Sequence, residues 1–168
     1  MTGSELERYI KLYRDNVWAV AFCRVKNPSD ADDITQDIFL KLFTYDGSFE
    51  NDEHVKAWLL RCTVNHSINL LKSGWHRLSQ PIESAYTKAG DDTNTEDDLL
   101  PLIMQLSRKN RVTLYMYYYE GYTIEEISKL LGASDSAVKL RLVRARKCLK
   151  KLIEKDRKGY NDELQRDF

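Results

Sequence analysis

A chain of 168 residues supports one domain or two small ones, each with a modest core. Glycine and proline are scarce, 7 and 3, and 31% of residues are charged, which favours an α-helical soluble protein over a strand-rich one. The net charge is zero, yet the charges are segregated into blocks: 28–54 carries eight acids against one base, 55–82 four bases and no acid, and 136–158 ten bases against two acids. Such blocks suggest separate docking surfaces, although a charge run can also be a plain solvated face.

The three cysteines, Cys23, Cys62 and Cys148, have no motif spacing and imply no disulfide framework. No signal peptide and no apolar run of bilayer length are evident, so a cytoplasmic protein without membrane insertion is expected.

In chain order, Leu6, Ile10, Tyr13, Val17 and Val20, with Ala21, recur at helical spacing over Glu5 to Val25. "NPSDADD" ends that helix and starts a second, with Asn27 or Ser29 as cap, Pro28 in the first turn and aspartates near the positive helix end. The second helix should bury Ile34, Ile38 and Leu42 and stop near "YDGS". A third runs from about Glu53 to Ser73. Residues 73–98 lose periodicity and collect Ser, Gly, Thr, Asn and Asp, which reads as a polar linker. Beyond it, helices are expected over Leu99 to about Leu106 and over Ser107 to Tyr119. "TIEEISKLLG" then predicts a helix opened by a Thr123/Glu126 capping box and closed by Gly132.

The following segment, capped by Ser134, aligns Val138, Leu142, Ala145, Leu149 and Leu152 on one line, while Ser136, Lys139, Leu140, Val143, Arg144 and Lys147 take the opposite face. Arg141 and Arg146 flank that face and suit phosphates. A helix-turn-helix needs this division, with one side packed and the other entering the major groove. A bare αα-hairpin with a basic surface shares it.

In the third helix, Val55, Leu59, Cys62 and Leu70 form an apolar face, and Leu60, Val64, Ile68 and Leu71 nearly form another. Between them runs a strip of Trp58, Arg61, Asn65, Asn69 and Lys72. Amides, cations and an aromatic ring with no carboxylate suit unstacked bases and a strand backbone. A buried helix with satisfied asparagines is the competing account.

Cys62 and His66 stand at i, i+4, but no second pair has ligand spacing, so no metal is assigned. The tyrosines at 115, 117, 118, 119 and 122 point to a helix wedged between others. No catalytic triad, phosphate loop or metal-binding carboxylate set is found; no enzyme activity and no cofactor are expected.

Three stretches carry a family resemblance across nearly the whole chain: "DADDITQDIFLKLF", "VKAWLLRCTVNHSINLLKS" and "RVTLYMYYYEGYTIEEISKLLGASDSAVKLRLVRARKCLKKL". Together they resemble an extracytoplasmic-function (ECF) sigma factor, a two-domain specificity subunit of bacterial RNA polymerase. The resemblance implies an all-α fold of two small helical domains: region 2 over 1–74, an acidic linker over 75–98, region 4 over 99–155 and a C-terminal tail over 156–168. It implies that Asp33, Gln36, Asp37, Phe39, Leu40 and Leu42 dock on core RNA polymerase. It places Trp58, Arg61, Asn65, Asn69 and Lys72 on the opened minus-ten strand. Ser136, Lys139, Leu140, Arg141, Val143, Arg144 and Lys147 would face the minus-thirty-five promoter DNA. An anti-sigma factor is a further partner usual in the family, and a monomer is expected when free.

Departures from the family pattern are Ser136-Ala137 where glycine and threonine are common, Leu140 where serine is, and Leu106-Ser107 where Leu-Pro is. They leave the promoter sequence open. A stand-alone helix-turn-helix regulator would instead bind a palindromic duplex without polymerase. A helical adaptor would not need Lys139 or Arg144 at all.

Overall fold

The computed structural model describes residues 1–73 and 99–166, with side chains as far as Arg157. The expected linker at 75–98 lies outside the described residues. Every described element is a helix: α1 Gly3–Val25, α2 Pro28–Phe43, α3 Asp52–Lys72, α4 Leu100–Ile103, α5 Arg108–Tyr118, α6 Ile124–Leu131 and α7 Asp135–Arg166.

The helix ends follow local chemistry. Thr2 and Glu5 form a capping box at α1, and Asn27 accepts from the Asp30 amide with Pro28 in the first turn of α2. Asn51 caps α3 by accepting from the His54 amide at 2.8 Å. The Thr123/Glu126 capping box opens α6, and Gly132 closes it at φ 60, a left-handed conformation that glycine adopts without penalty.

Helices α1, α2 and α3 pack on one another around Val17, Val20, Ile34, Ile38, Leu42, Val55, Leu59 and Leu60, all essentially inaccessible. Arg8 on α1 donates to both oxygens of Asp52 on α3 at 2.7 Å. In the second half, α5, α6 and α7 pack together through Val112, Met116, Ile127, Val138 and Leu142.

One element is shorter than the sequence predicts. The expected helix over Leu99–Leu106 contracts to the four residues of α4, because the turn after it feeds the buried Arg111. Its guanidinium Nη1 donates to the Met104 and Leu106 carbonyls at 3.1 and 2.8 Å, and its Nε to the Cys23 carbonyl at 2.6 Å. Burial pushes Arg111 down to about 10 and the neighbouring Cys23 thiol up to about 12. The two halves, whose relative placement the sequence leaves open, are packed together. α1 contacts α5, α3 contacts α6, and the buried residues of both halves form one continuous cluster. Helix α7 also continues past residue 155 to Arg166 with no break at the expected tail boundary.

Candidate nucleic-acid interface

Ser134 starts α7 by accepting from the Ala137 amide at 3.2 Å. Val138, Leu142 and Ala145 then fall on the core side, at 0%, 2% and 0% exposure. The periodicity leaves Ser136, Lys139, Leu140, Val143, Arg144 and Lys147 exposed on the outer face, with Arg141 half-buried at its flank. Leu140 and Val143 keep 48% and 58% of their surface, which is unusual for side chains a core could have used. Two apolar side chains among cations can touch thymine methyl groups while the cations meet phosphates. Arg146, expected on a flank, is otherwise engaged: its Nε donates to the Tyr118 hydroxyl at 2.7 Å, and its guanidinium lies over the Tyr117 and Tyr118 rings.

On α3, Asn65, Asn69, Arg61 and Lys72 are exposed and Trp58 is half-buried. Exposure of both asparagines removes the account in which they are satisfied inside a buried helix. The polar residues this helix does bury are others: Thr63 and Ser67 return their hydroxyls to carbonyls one turn back, at 2.8 and 2.7 Å.

Trp58 stands in an aromatic cluster that sequence reading missed. Its ring lies 4.9 Å from Tyr45 and 5.8 Å from Phe49, with Lys41 Nζ 5.9 Å from its centre. Tyr45 and Phe49 come from the α2–α3 connection. A side chain added at Gly47 would displace the Tyr45 ring. The available signal was "YDGSF", two aromatics around a glycine just ahead of the Asn51 cap.

On α2, Asp33, Gln36, Asp37 and Leu40 are exposed, Leu40 at 63%. Phe39 and Leu42 do not join that surface: they are core residues at 6% and 0%. Leu42 extends the one-sided stripe of Ile34 and Ile38, and Phe39 lies beside it on the helix. Phe43, one residue further along α2, is exposed at 46%. His66 Nε2 lies 3.5 Å from Asp37 Oδ2, so its imidazole faces a carboxylate rather than Cys62.

Among the described residues no group of His, Cys, Asp and Glu could hold a metal ion, and no helix is long and apolar enough to cross a membrane. An apolar groove of about 520 Å³ lies between α4, α5 and α7, lined in part by Leu99, Ile103, Leu114, Leu149 and Ile153.

Comparison with known proteins matches both halves. Residues 9–77 match the family model of sigma-70 region 2, and residues 96–149 that of sigma-70 region 4. The chain is 30% identical over 130 residues to the ECF RNA polymerase sigma factor SigM of Mycobacterium tuberculosis, covering 76% of this chain and 66% of that protein. It is 25% identical over 146 residues to the RNA polymerase sigma factor SigV of Bacillus subtilis, covering 86% and 88%. The fold is similar to that of the sigma factor RpoE from Bartonella quintana, solved in complex with the anti-sigma factor NepR: TM-score 0.75, 21% identity, 89% of this chain and 97% of that one.

Proposed function

We propose a function from one premise: this chain belongs to the sigma-70 family, in its extracytoplasmic-function group. It acts as a sigma factor, binding core RNA polymerase, directing it to promoters and assisting DNA opening for transcription initiation. The observation that carries this reading is the presence of two exposed faces of different chemistry, one on each half: the α3 strip beside its aromatic cluster, and the cationic, apolar-tipped outer face of α7. A duplex-only regulator has no use for the first face.

In this reading residues 1–74 dock on polymerase and hold the minus-ten strand, 75–98 link, and 99–155 read the minus-thirty-five element. Asp33, Gln36, Asp37, Leu40 and Phe43 present the polymerase-docking surface. Trp58 receives an unstacked base, while Arg61, Asn65, Asn69 and Lys72 follow the strand. Flipping a base costs a few kcal/mol, and stacking against an aromatic offsets about 1–3 kcal/mol of that. Lys139, Leu140, Val143 and Arg144 meet the major groove, with Ser136, Arg141 and Lys147 toward the backbone. The reaction chemistry belongs to the polymerase, and the protein works in the cytoplasm as a monomer when free. An anti-sigma factor is a fitting partner, as for the structurally similar RpoE.

The test is run-off transcription with purified core polymerase on a randomised promoter library. Specific transcripts that depend on the protein are expected. Failure of the intact chain to bind core polymerase in a pull-down would end this reading.

A further inference from the structure

We propose that Arg8, on α1, is a positioning residue for strand capture: by gripping Asp52 with two guanidinium nitrogens it fixes the first turn of α3, and through that turn the aromatic cage around Trp58. The inference rests on the sigma reading for what the cage holds.

The connection of residues 44–51 brings Tyr45 and Phe49 to Trp58, yet it has little with which to order itself. Phe49 is half-buried and every other residue of the connection is exposed. Burial on that scale does not offset the cost of fixing eight residues in one conformation. The order therefore comes from the two ends. At the start, the Thr44 hydroxyl donates to the Leu40 carbonyl and the Tyr45 amide to the Leu42 carbonyl, both at 3.2 Å. Those bonds are local to the end of α2. The far end is held from another helix.

Asp52 is the first residue of α3. Arg8 Nη1 donates to its Oδ2 and Arg8 Nη2 to its Oδ1, both at 2.7 Å. The Tyr9 hydroxyl donates to Oδ1 at 3.4 Å, and the Tyr13 hydroxyl to the Asp52 main-chain carbonyl at 3.2 Å. The Arg8 guanidinium lies 4.6 Å from the centre of the Tyr9 ring, and that ring stacks on Tyr13 with centres 6.3 Å apart. Side chain and main chain of one residue are thus both tied to α1. From Asp52 the grip reaches the cage through a single helical turn. The His54 and Phe49 rings meet at 88° with centres 5.6 Å apart, and Phe49 in turn meets Trp58 at 77°.

The size of the interaction separates positioning from stability. The Arg8 and Asp52 side chains are 50% and 45% exposed, and so exposed an ion pair adds little to the fold. Asp52 suits the N-terminus of α3 even with no arginine beside it. What the planar guanidinium adds is direction: two parallel bonds set the angle between the groups as well as their distance. Arg8→Lys would keep the attraction and lose that angle. A platform for an unstacked base depends on ring orientation, so direction is the property the cage needs.

Fluorine NMR of the full chain labelled with 5-fluorotryptophan reads the cage without polymerase. The chain has three tryptophans, and Trp58→Phe and Trp18→Phe assign the two signals needed. Arg8→Met and Arg8→Lys should each move the Trp58 signal, while the Trp18 signal and the thermal midpoint keep their wild-type values. Trp18 shares α1 with Arg8 and donates from its indole nitrogen to Asp32 at 2.8 Å, so it reports any disturbance of α1 itself. In holoenzyme the same two variants should shorten the open-complex lifetime about two- to tenfold, as loss of one well-set aromatic contact would. Binding to a fragment carrying only the minus-thirty-five element should not change. An unmoved Trp58 signal in both variants would overturn the grip. A wild-type Trp58 signal in Arg8→Lys would do the same, because charge without direction would then suffice. Trp58 and Trp18 signals that move together with a fallen midpoint would mark a general loosening of α1 and overturn it too. A moved Trp58 signal with a wild-type open-complex lifetime would remove the positioning role. A chain that fails to bind core polymerase ends the sigma reading instead, and the fluorine signal still decides whether Arg8 sets the cage.

Discussion

The two faces proposed to meet nucleic acid are built in different ways. The outer face of α7 is an open ridge: Leu140 and Val143 project at 48% and 58% exposure between Lys139, Arg144 and Lys147, all from one helix. The α3 strip is exposed at Asn65 and Asn69, but it ends in a cage, where Trp58 is flanked by Tyr45 and Phe49 from the preceding connection and by Lys41 from α2. A ridge can read the edges of stacked base pairs, because a duplex presents them outward in a groove. An unpaired base has to be held by its face, and a face needs a platform with support behind it. Duplex reading can thus be supplied by one helix, whereas strand capture needs several segments to converge.

The largest effect expected from this contrast comes from the cage. Trp58→Ala removes the platform and should weaken capture of the opened strand by about 1–3 kcal/mol. Open-complex formation by holoenzyme on a duplex promoter, followed by permanganate footprinting, should fall accordingly. Binding of holoenzyme to a fragment carrying only the minus-thirty-five element should not change. Equal losses on both templates would show that the two faces are not separate devices.

The ridge comes next. Arg144→Ala should weaken holoenzyme binding to the minus-thirty-five fragment by about 1–3 kcal/mol if it reads a base edge, and relax specificity at that one position. If Arg144 instead meets a phosphate, the loss is uniform across sequences and the salt slope falls by about one. Titration at several salt concentrations separates these cases. Strand capture on a pre-opened template should stay as it was in either case.

Gly47→Ala sharpens the contrast with a smaller change. The added methyl displaces the Tyr45 ring without touching Trp58's own helix. Loss of one aromatic pair is expected to cost about 0.5–1.5 kcal/mol, read as a modest drop in open-complex lifetime. An unchanged lifetime would mean that Trp58 works without its neighbour.

This same contrast decides what was legible in the sequence. The division of α7 into Val138, Leu142 and Ala145 inside and Leu140, Val143 and Arg144 outside follows from 3.6-residue periodicity alone, and so do the capping box at Thr123 and the stop at Gly132. The α3 strip was legible as composition, but its cage was not, since Tyr45 and Phe49 reach Trp58 through a connection with no period. Phe39 was placed on the partner-facing side by resemblance alone, which does not say which side of α2 this core takes, and it is buried at 6%. The Arg8–Asp52 pair joins residues 44 positions apart, and nothing in the charge blocks singles it out. Helix α4 came out shorter than expected because Arg111, from the next helix, takes the Met104 and Leu106 carbonyls.

The smallest effect tests the helix behind the ridge. α6 packs against α7 and is held at its start by a reciprocal pair: the Glu126 amide donates to the Thr123 hydroxyl at 3.3 Å, and the Thr123 amide donates to Glu126 Oε2 at 2.8 Å. The backbone bond from Thr123, with that from its hydroxyl, holds the Glu126 carboxyl below the usual carboxylate range. A carboxyl depressed on folding stabilises the fold above its unfolded value near pH 4.5, and that contribution fades as pH falls through the lowered folded value. The side chain is exposed, so solvent screening keeps the effect small, about 0.5–1 kcal/mol as for other caps. Glu126→Gln should therefore lower the thermal midpoint slightly at pH 7, with the gap to wild type closing at acid pH. Glu126 lines a cleft together with Trp58 and Arg61, but the rings that support Trp58 are those of Tyr45 and Phe49, so strand capture at pH 7 should survive the substitution while minus-thirty-five binding softens. A matching loss on the α3 side would mean that α6, which packs against α3 as well as α7, supports both faces.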